Sequence, residues 1–252
     1  MNIHPLINEL ETTGGQYAFY YRPQAGPPLL RGNGDRFSAA SVIKVPILLA
    51  WVFLERSGQL DKEALCSLDS EPEVRGAGFS WLLHQRRIPW HDVLLLMISL
   101  SDNLCTNLVL EHIGLERLQR TFTQGLGLQA TAVERKLMDF AAREQGKDNW
   151  ISARDCVHFY DLLRQLSPQE RAWVEPLLGV CQDNTKLMRD VPFDSTVFYH
   201  KSGFIPEVVH DWGYTDKCDI FLLTQGYKNE ARLRDIFGQL GQLMTTGETV
   251  EL

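Results

Sequence analysis

The sequence predicts an α+β fold, in which an antiparallel sheet flanked by helices is joined to an all-helical lobe. Strand-like segments cluster near the N-terminus and again in the last quarter, while the middle of the chain shows mostly helical spacing. Size and composition agree: 252 residues, 44% hydrophobic and 23% charged, can bury a real core and lie far from disordered chains.

Taken in order, residues 3–12 put Ile3, Leu6, Ile7 and Leu10 at helical spacing and stop at Gly14-Gly15. Residues 16–22 are aromatic-rich and strand-like, residues 23–28 are turn material, and Leu29-Leu30 begins a partner strand. Helical patterns follow over 41–56, 78–85, 90–99, 102–113, 115–124 and 152–165. Residues 196–200, 208–214 and 219–226 then read as strands, and 230–244 closes as an amphipathic helix. The expected organisation is a discontinuous sheet lobe (1–37 with 186–252), a helical lobe (38–185), and a site between them.

Several function classes are disfavoured at once. A net charge of −7 and a pI near 5.5 provide no basic excess for nucleic acid. The longest apolar run, residues 45–54, is too short to span a bilayer. The five cysteines (Cys66, Cys105, Cys156, Cys181, Cys218) are odd in number and lack a C-x-x-C, so they read as buried thiols. The seven histidines show no metal-ligand spacing, and neither a metal nor a cofactor is expected. Residues 1–11 contain no Lys or Arg, which leads to the expectation of a cytoplasmic chain, or a periplasmic or secreted one if a leader was removed. The oligomeric state is left open.

Three short motifs carry chemistry. In Ser41-Val42-Ile43-Lys44, helical spacing puts the hydroxyl and the amine on one face. Lys44 lies in an apolar run where burial disfavours its charge, and a neutral amine can take the proton of a serine. Pro46 belongs in the first turn of this helix, whose positive end then lies near Ser41. In Ser101-Asp102-Asn103, a second hydroxyl can relay a proton and the Asn103 amide can donate to a substrate carbonyl. In His200-Lys201-Ser202-Gly203, a fixed charge and a hydroxyl suit a substrate carboxylate, and Gly203 leaves room for a ligand backbone. Each motif alone also has a plain structural reading: Ser41 as a helix cap with a snorkelling Lys44, a capping Ser-Asp-Asn, and an exposed strand end. All three in order should arise by chance in on the order of one chain in a thousand.

With these motifs, the chain resembles class A serine β-lactamases and related penicillin-recognising enzymes over nearly its whole length. The resemblance implies that Ser41 forms an acyl-enzyme, with Lys44 beside it as proton acceptor. It implies that Ser101 shuttles a proton to the leaving nitrogen and that Asn103 contacts the acyl side chain. Lys201 and Ser202 would hold the substrate carboxylate, and the backbone N–H groups of Ser41 and Phe204 would form the oxyanion hole. The implied partner is a small molecule, either a β-lactam or a D-Ala-D-Ala-like peptide.

The chain departs from that family's pattern in two motifs. Ser202 replaces the usual threonine and keeps the hydroxyl. The loop expected to carry a deacylating glutamate lacks E-x-x-L-N, and spacing puts Lys136 or Leu137 where the glutamate belongs. Asp139 is the first candidate to activate the hydrolytic water, Glu134 is another nearby carboxylate, and an ordinary ion pair of Asp139 with Arg135 or Arg154 is the alternative. The leading expectation is β-lactam hydrolysis through Ser41. The alternatives are a D-Ala-D-Ala carboxypeptidase, an esterase or amidase on the same fold, or a non-catalytic penicillin-recognising sensor.

Overall fold

A computed structural model describes residues 2–250 of the protein. It opens with α1 (His4–Thr12) and the hairpin β1 (Gln16–Pro23) and β2 (Leu29–Gly32), followed by β3 (Arg36–Ser38) and α2 (Lys44–Arg56). The central part holds β4 (Leu65–Ser67), β5 (Arg87–Pro89), α3 (Trp90–Ser99), α4 (Asn103–Ile113), α5 (Leu115–Arg120), β6 (Ala132–Val133) and α6 (Phe140–Glu144). Then come β7 (Asn149–Ser152), α7 (Ala153–Arg164) and α8 (Pro168–Gly179). The chain returns through β8 (Tyr199–Ile205), β9 (Val208–Tyr214) and β10 (Cys218–Gln225), and ends in α9 (Glu230–Gly241) and α10 (Leu243–Thr246).

The main sheet is antiparallel, in the order β2-β1-β10-β9-β8. The N-terminal hairpin therefore pairs with strands some two hundred residues later, with Phe19 opposite Leu222. Period-two alternation feeds two cores. Tyr17, Phe19 and Tyr21 of β1 pack with α1, α9 and α10, while Ala18 and Tyr20 face the larger core around α2, α3, α4 and α7. The larger core is anchored by α2, of which Trp51 is fully buried. All five cysteines are buried free thiols. Among the described residues, no helix is long and apolar enough to cross a membrane.

Three elements differ from the sequence expectation, each for a local reason. The helix expected over 41–56 begins as a tight turn, Ala40–Ile43, and becomes α-helical only at Lys44. Pro46 cannot donate to the Val42 carbonyl, and the turn closes instead through Val42 N to Ala39 O at 3.1 Å. The helix expected over 78–85 shrinks to one turn, Ser80–Leu82, because Gly76 and Gly78 adopt positive φ. The strand expected at 196–200 lies a few residues later, as β8.

The α8 helix was not expected, although the sequence announces it: Ser167 and Glu170 form a capping box with Pro168 in the first turn. The region expected to be wholly helical also carries two small sheets, β3-β7-β6 and β4-β5. Their strands have two to four residues, too few for a clear alternation. The β3-β7-β6 sheet matters for the site: Ala39 N donates to Asn149 O at 2.7 Å, tying the Ser41 turn to the end of β7.

Candidate active site

Lys44 organises the site. Its side chain is fully buried, and Nζ lies 3.1 Å from Ser41 Oγ, 3.0 Å from Ser101 Oγ, 2.7 Å from Ser101 O and 3.1 Å from Asn103 Oδ1. Two of these four partners, the Ser101 carbonyl and the Asn103 amide oxygen, can only accept. Burial, and then the nearby positive charge of Lys201, hold the Lys44 amine well below its ordinary pKa. A neutral amine has two N–H donors for those two acceptors and one lone pair for a hydroxyl. The geometry therefore lets either serine hydroxyl donate to Lys44, which is the arrangement that activates a nucleophile.

Backbone strain brings the two hydroxyls together. Ala40 and Ser101 hold positive φ angles of 43° and 57°, which a non-glycine residue adopts only when its surroundings hold it there. At Ser101 this turns both the carbonyl and the hydroxyl toward Lys44. The middle residue of Ser101-Asp102-Asn103 does the structural work. Asp102 is buried and caps α4 through Cys105 N at 3.0 Å, and it accepts from Ser80 N and Ser80 Oγ at 2.8 Å each. Capping and catalytic readings thus both apply, to different residues of one tripeptide. Asn103 is held at both ends, since Nδ2 also donates to Arg75 O at 3.2 Å.

The third motif lies on β8, the edge strand beside the Ser41 turn. Gly203 is needed for that approach. A Cβ there would stand 3.0 Å from Ser41 N and 3.1 Å from Ala40 Cβ. Its missing side chain accommodates the nucleophile's own turn, where the sequence suggested a ligand backbone. An antiparallel edge strand leaves alternate N–H groups unpaired, so β8 and the Ser41 turn can jointly present donors to an oxyanion. The side chain of Phe204 is exposed and helps wall the cavity over Ser41.

Lys201 is buried, donates to Ser202 O at 2.9 Å, and has its pKa lowered by that burial. Ser202 Oγ donates to Asp183 Oδ2 at 2.7 Å, and Asp183 is also paired with the buried Lys186. Burial raises the pKa of Asp183, but Lys186, Thr185 and Ser202 outweigh it and keep the group ionised.

Sequence reasoning missed Asp183 and Lys186, and it treated His200 as an ordinary strand histidine. His200 is buried, with Nδ1 2.9 Å from Asp211 Oδ1, and it hydrogen-bonds the Cys181 thiol. Burial opposes its charge, yet Asp211 and Cys181 raise its pKa to about 10. Burial likewise disfavours the Cys181 thiolate, but His200 and Lys201 lower that thiol to about 6. No sequence signal marks this group, because its members lie on separate elements.

The expected deacylating carboxylates stand apart from the nucleophile. Asp139 is exposed, and its Oδ1 caps α6 through Ala142 N at 3.0 Å. Glu134 turns to Asp148 N and the Trp150 indole. Neither lines the cavity of about 240 Å³ that opens at Ser41. Leu137 does line it, held by Asn107. The carboxylate that does line the cavity is Asp148, and its oxygens accept from Arg135, Asn149 N and Ser38.

A paired Ser-Lys nucleophile, a second serine and a cationic edge strand between a helical core and an antiparallel sheet define a serine-hydrolase class of site. The model of the Beta-lactamase enzyme family matches residues 3–246, and the chain belongs to that family. No curated protein sequence matches it. Among solved structures it is similar to PBP-A, with 23% identity over 96% of this chain and 93% of that one and a TM-score of 0.83. It is also similar to a β-lactamase from Sphaerobacter thermophilus, with 22% identity over 98% and 96% and a TM-score of 0.85. An ancestral class A β-lactamase has 19% identity over 98% of each chain and a TM-score of 0.82. At these identities the likeness establishes the fold.

Proposed function

We propose that this chain is a serine hydrolase that is acylated at Ser41 by β-lactams and releases the acyl group slowly. The observation carrying this reading is the position of Lys44 Nζ between Ser41 Oγ and Ser101 Oγ, at 3.1 and 3.0 Å. Lys44 takes the Ser41 proton as Oγ attacks the carbonyl carbon. The tetrahedral oxyanion is met by backbone N–H groups of the Ser41 turn and β8. As the C–N bond breaks, Ser101 passes a proton from Lys44 to the leaving nitrogen. Lys201 and Ser202 hold the substrate carboxylate through this sequence.

The missing step is the activation of water. Hydrolysis of the ester needs a base held near it, and a small misplacement is costly. Leu137 occupies the cavity wall, and Asp148 has its oxygens engaged. This favours a second reading, in which a D-Ala-D-Ala-like peptide or an ester is the substrate that turns over and β-lactams are persistent acylating agents. The similarity to PBP-A supports it, including a leucine-to-glutamate variant of that protein solved as an acyl-enzyme complex with penicillin-G.

The test is intact-mass analysis after mixing with benzylpenicillin, with peptide mapping of the adduct. One penicilloyl group on Ser41, absent from Ser41→Ala, is the expected result. Absence of any adduct together with absence of hydrolysis overturns the proposal. Rapid turnover without accumulation keeps Ser41 chemistry and overturns slow release.

A further inference from the structure

The cavity at Ser41 continues past the nucleophile toward Arg143, Asp148 and Asn149, between apolar walls from Leu137, Met138 and Phe140. Its far end is rich in donors. Asn149 is 3% exposed, and its Nδ2 has no hydrogen-bond partner. The amide cannot simply be turned over. Its Oδ1 accepts from Glu134 N at 3.0 Å and Arg135 N at 3.2 Å, and two N–H donors require an oxygen there. A buried donor without an acceptor is costly and is uncommon in folded proteins.

The charge at this end is also unbalanced. Asp148 is matched by Arg135, which contacts it through Nε at 3.0 Å and Nη2 at 2.6 Å. Arg143 comes no closer to Asp148 than 3.8 Å, and its side chain is about one-third exposed. Two guanidinium groups against one carboxylate leave a net positive end. Glu134 is drawn away toward Trp150 and Arg36.

We propose that this arm is a subsite for the far end of the substrate's acyl group, and that it selects acyl chains ending in a carboxylate. The apolar wall receives the methylene stem. Arg143 and Asn149 Nδ2 meet the terminal oxygens, so the unpartnered donor gains its acceptor on binding. The inference rests on Ser41 as the acylated residue, and it names the class of acyl donor this site takes.

The test uses the Ser41→Ala protein, so that binding is read without chemistry. N-Succinyl-, N-glutaryl- and N-adipyl-D-alanine are each compared by calorimetry with the neutral terminal amide of the same length. At least one acid should bind about tenfold more tightly than its amide, as expected for an added charge-assisted hydrogen bond. Arg143→Gln should abolish that preference and leave the amide's affinity unchanged. Asn149→Asp keeps the oxygen that holds the loop, and it should reverse the preference in protein whose thermal melt is unaltered. Equal affinity for acid and amide at every length overturns the subsite, as does a preference that survives both variants. Failure of the Ser41 reading shows elsewhere, as the absence of an adduct on the parent protein with benzylpenicillin.

Discussion

Asn107 grips Leu137 through both ends of its side-chain amide, accepting from Leu137 N at 2.7 Å and donating to Leu137 O at 3.1 Å. The buried α4 helix thereby fixes an apolar residue on the wall of the nucleophile's cavity. A carboxylate placed there should supply the missing base. Leu137→Glu should speed deacylation of a penicilloyl-enzyme by about a hundredfold, a typical general-base contribution. Asp139→Asn should leave that rate unchanged, because Asp139 is occupied with capping α6. Both are read as decay of the Ser41 adduct by intact mass.

Lys44 and Lys201 share one buried region, and each positive charge disfavours the other. If neutral Lys44 accepts the Ser41 proton, acylation rises with pH as Lys44 deprotonates and falls away at low pH. Lys201→Ala removes the neighbouring charge that helps depress the Lys44 pKa. The acid limb of the acylation profile should therefore move to higher pH, in addition to any loss of affinity for carboxylate substrates. A limb that stays in place, measured by stopped-flow acylation with a neutral ester, contradicts the coupling.

Asp183 sets up a competition for Ser202. Its carboxylate accepts the hydroxyl that would otherwise turn to a substrate, and its charge opposes a substrate carboxylate. Asp183→Asn should lower KM several-fold for substrates bearing a carboxylate, with little effect on neutral esters. Steady-state kinetics on a matched acid and ester pair check this.

The Cys181–His200–Asp211 group makes a prediction about stability. With its pKa raised to about 10, His200 contributes stability that is full below its unfolded value and lost as pH rises through about 10. Cys181, lowered to about 6, acts in the opposite sense between about 6 and its unfolded value. The two effects offset each other near neutrality. Cys181→Ala removes one of them, so the variant's stability relative to the parent should fall as pH rises from about 6.5 to about 9. Urea denaturation at several pH values measures the difference.

Asp102 should prove structural. Asp102→Ala leaves Ser80 N, Ser80 Oγ and Cys105 N without their acceptor, in a site so close that a Cβ on Gly78 would meet the carboxylate. A loss of about 3 kcal/mol is expected from urea denaturation, typical of breaking a buried polar network.

Local signals carried much of the fold. Helical spacing marked α3, α4 and α7, and alternation or apolar runs marked β9 and β10, because those patterns depend only on near neighbours. S-x-x-K, S-D-N and K-S-G likewise named the principal catalytic candidates, since chemistry requires those residue types in that order. The sequence by itself thus determined the fold class and the residues able to attack, relay and hold a carboxylate. Tertiary structure decided their roles. It separated Ser101 and Asn103 from Asp102, gave Gly203 to the Ser41 turn, turned Asp139 outward to its helix, and left Asn149 Nδ2 without a partner. These outcomes depend on burial and on contacts between residues far apart in the chain, such as Ser41 with Lys201 or Asn107 with Leu137. Such energies arise only when distant segments pack together, and no local pattern encodes them.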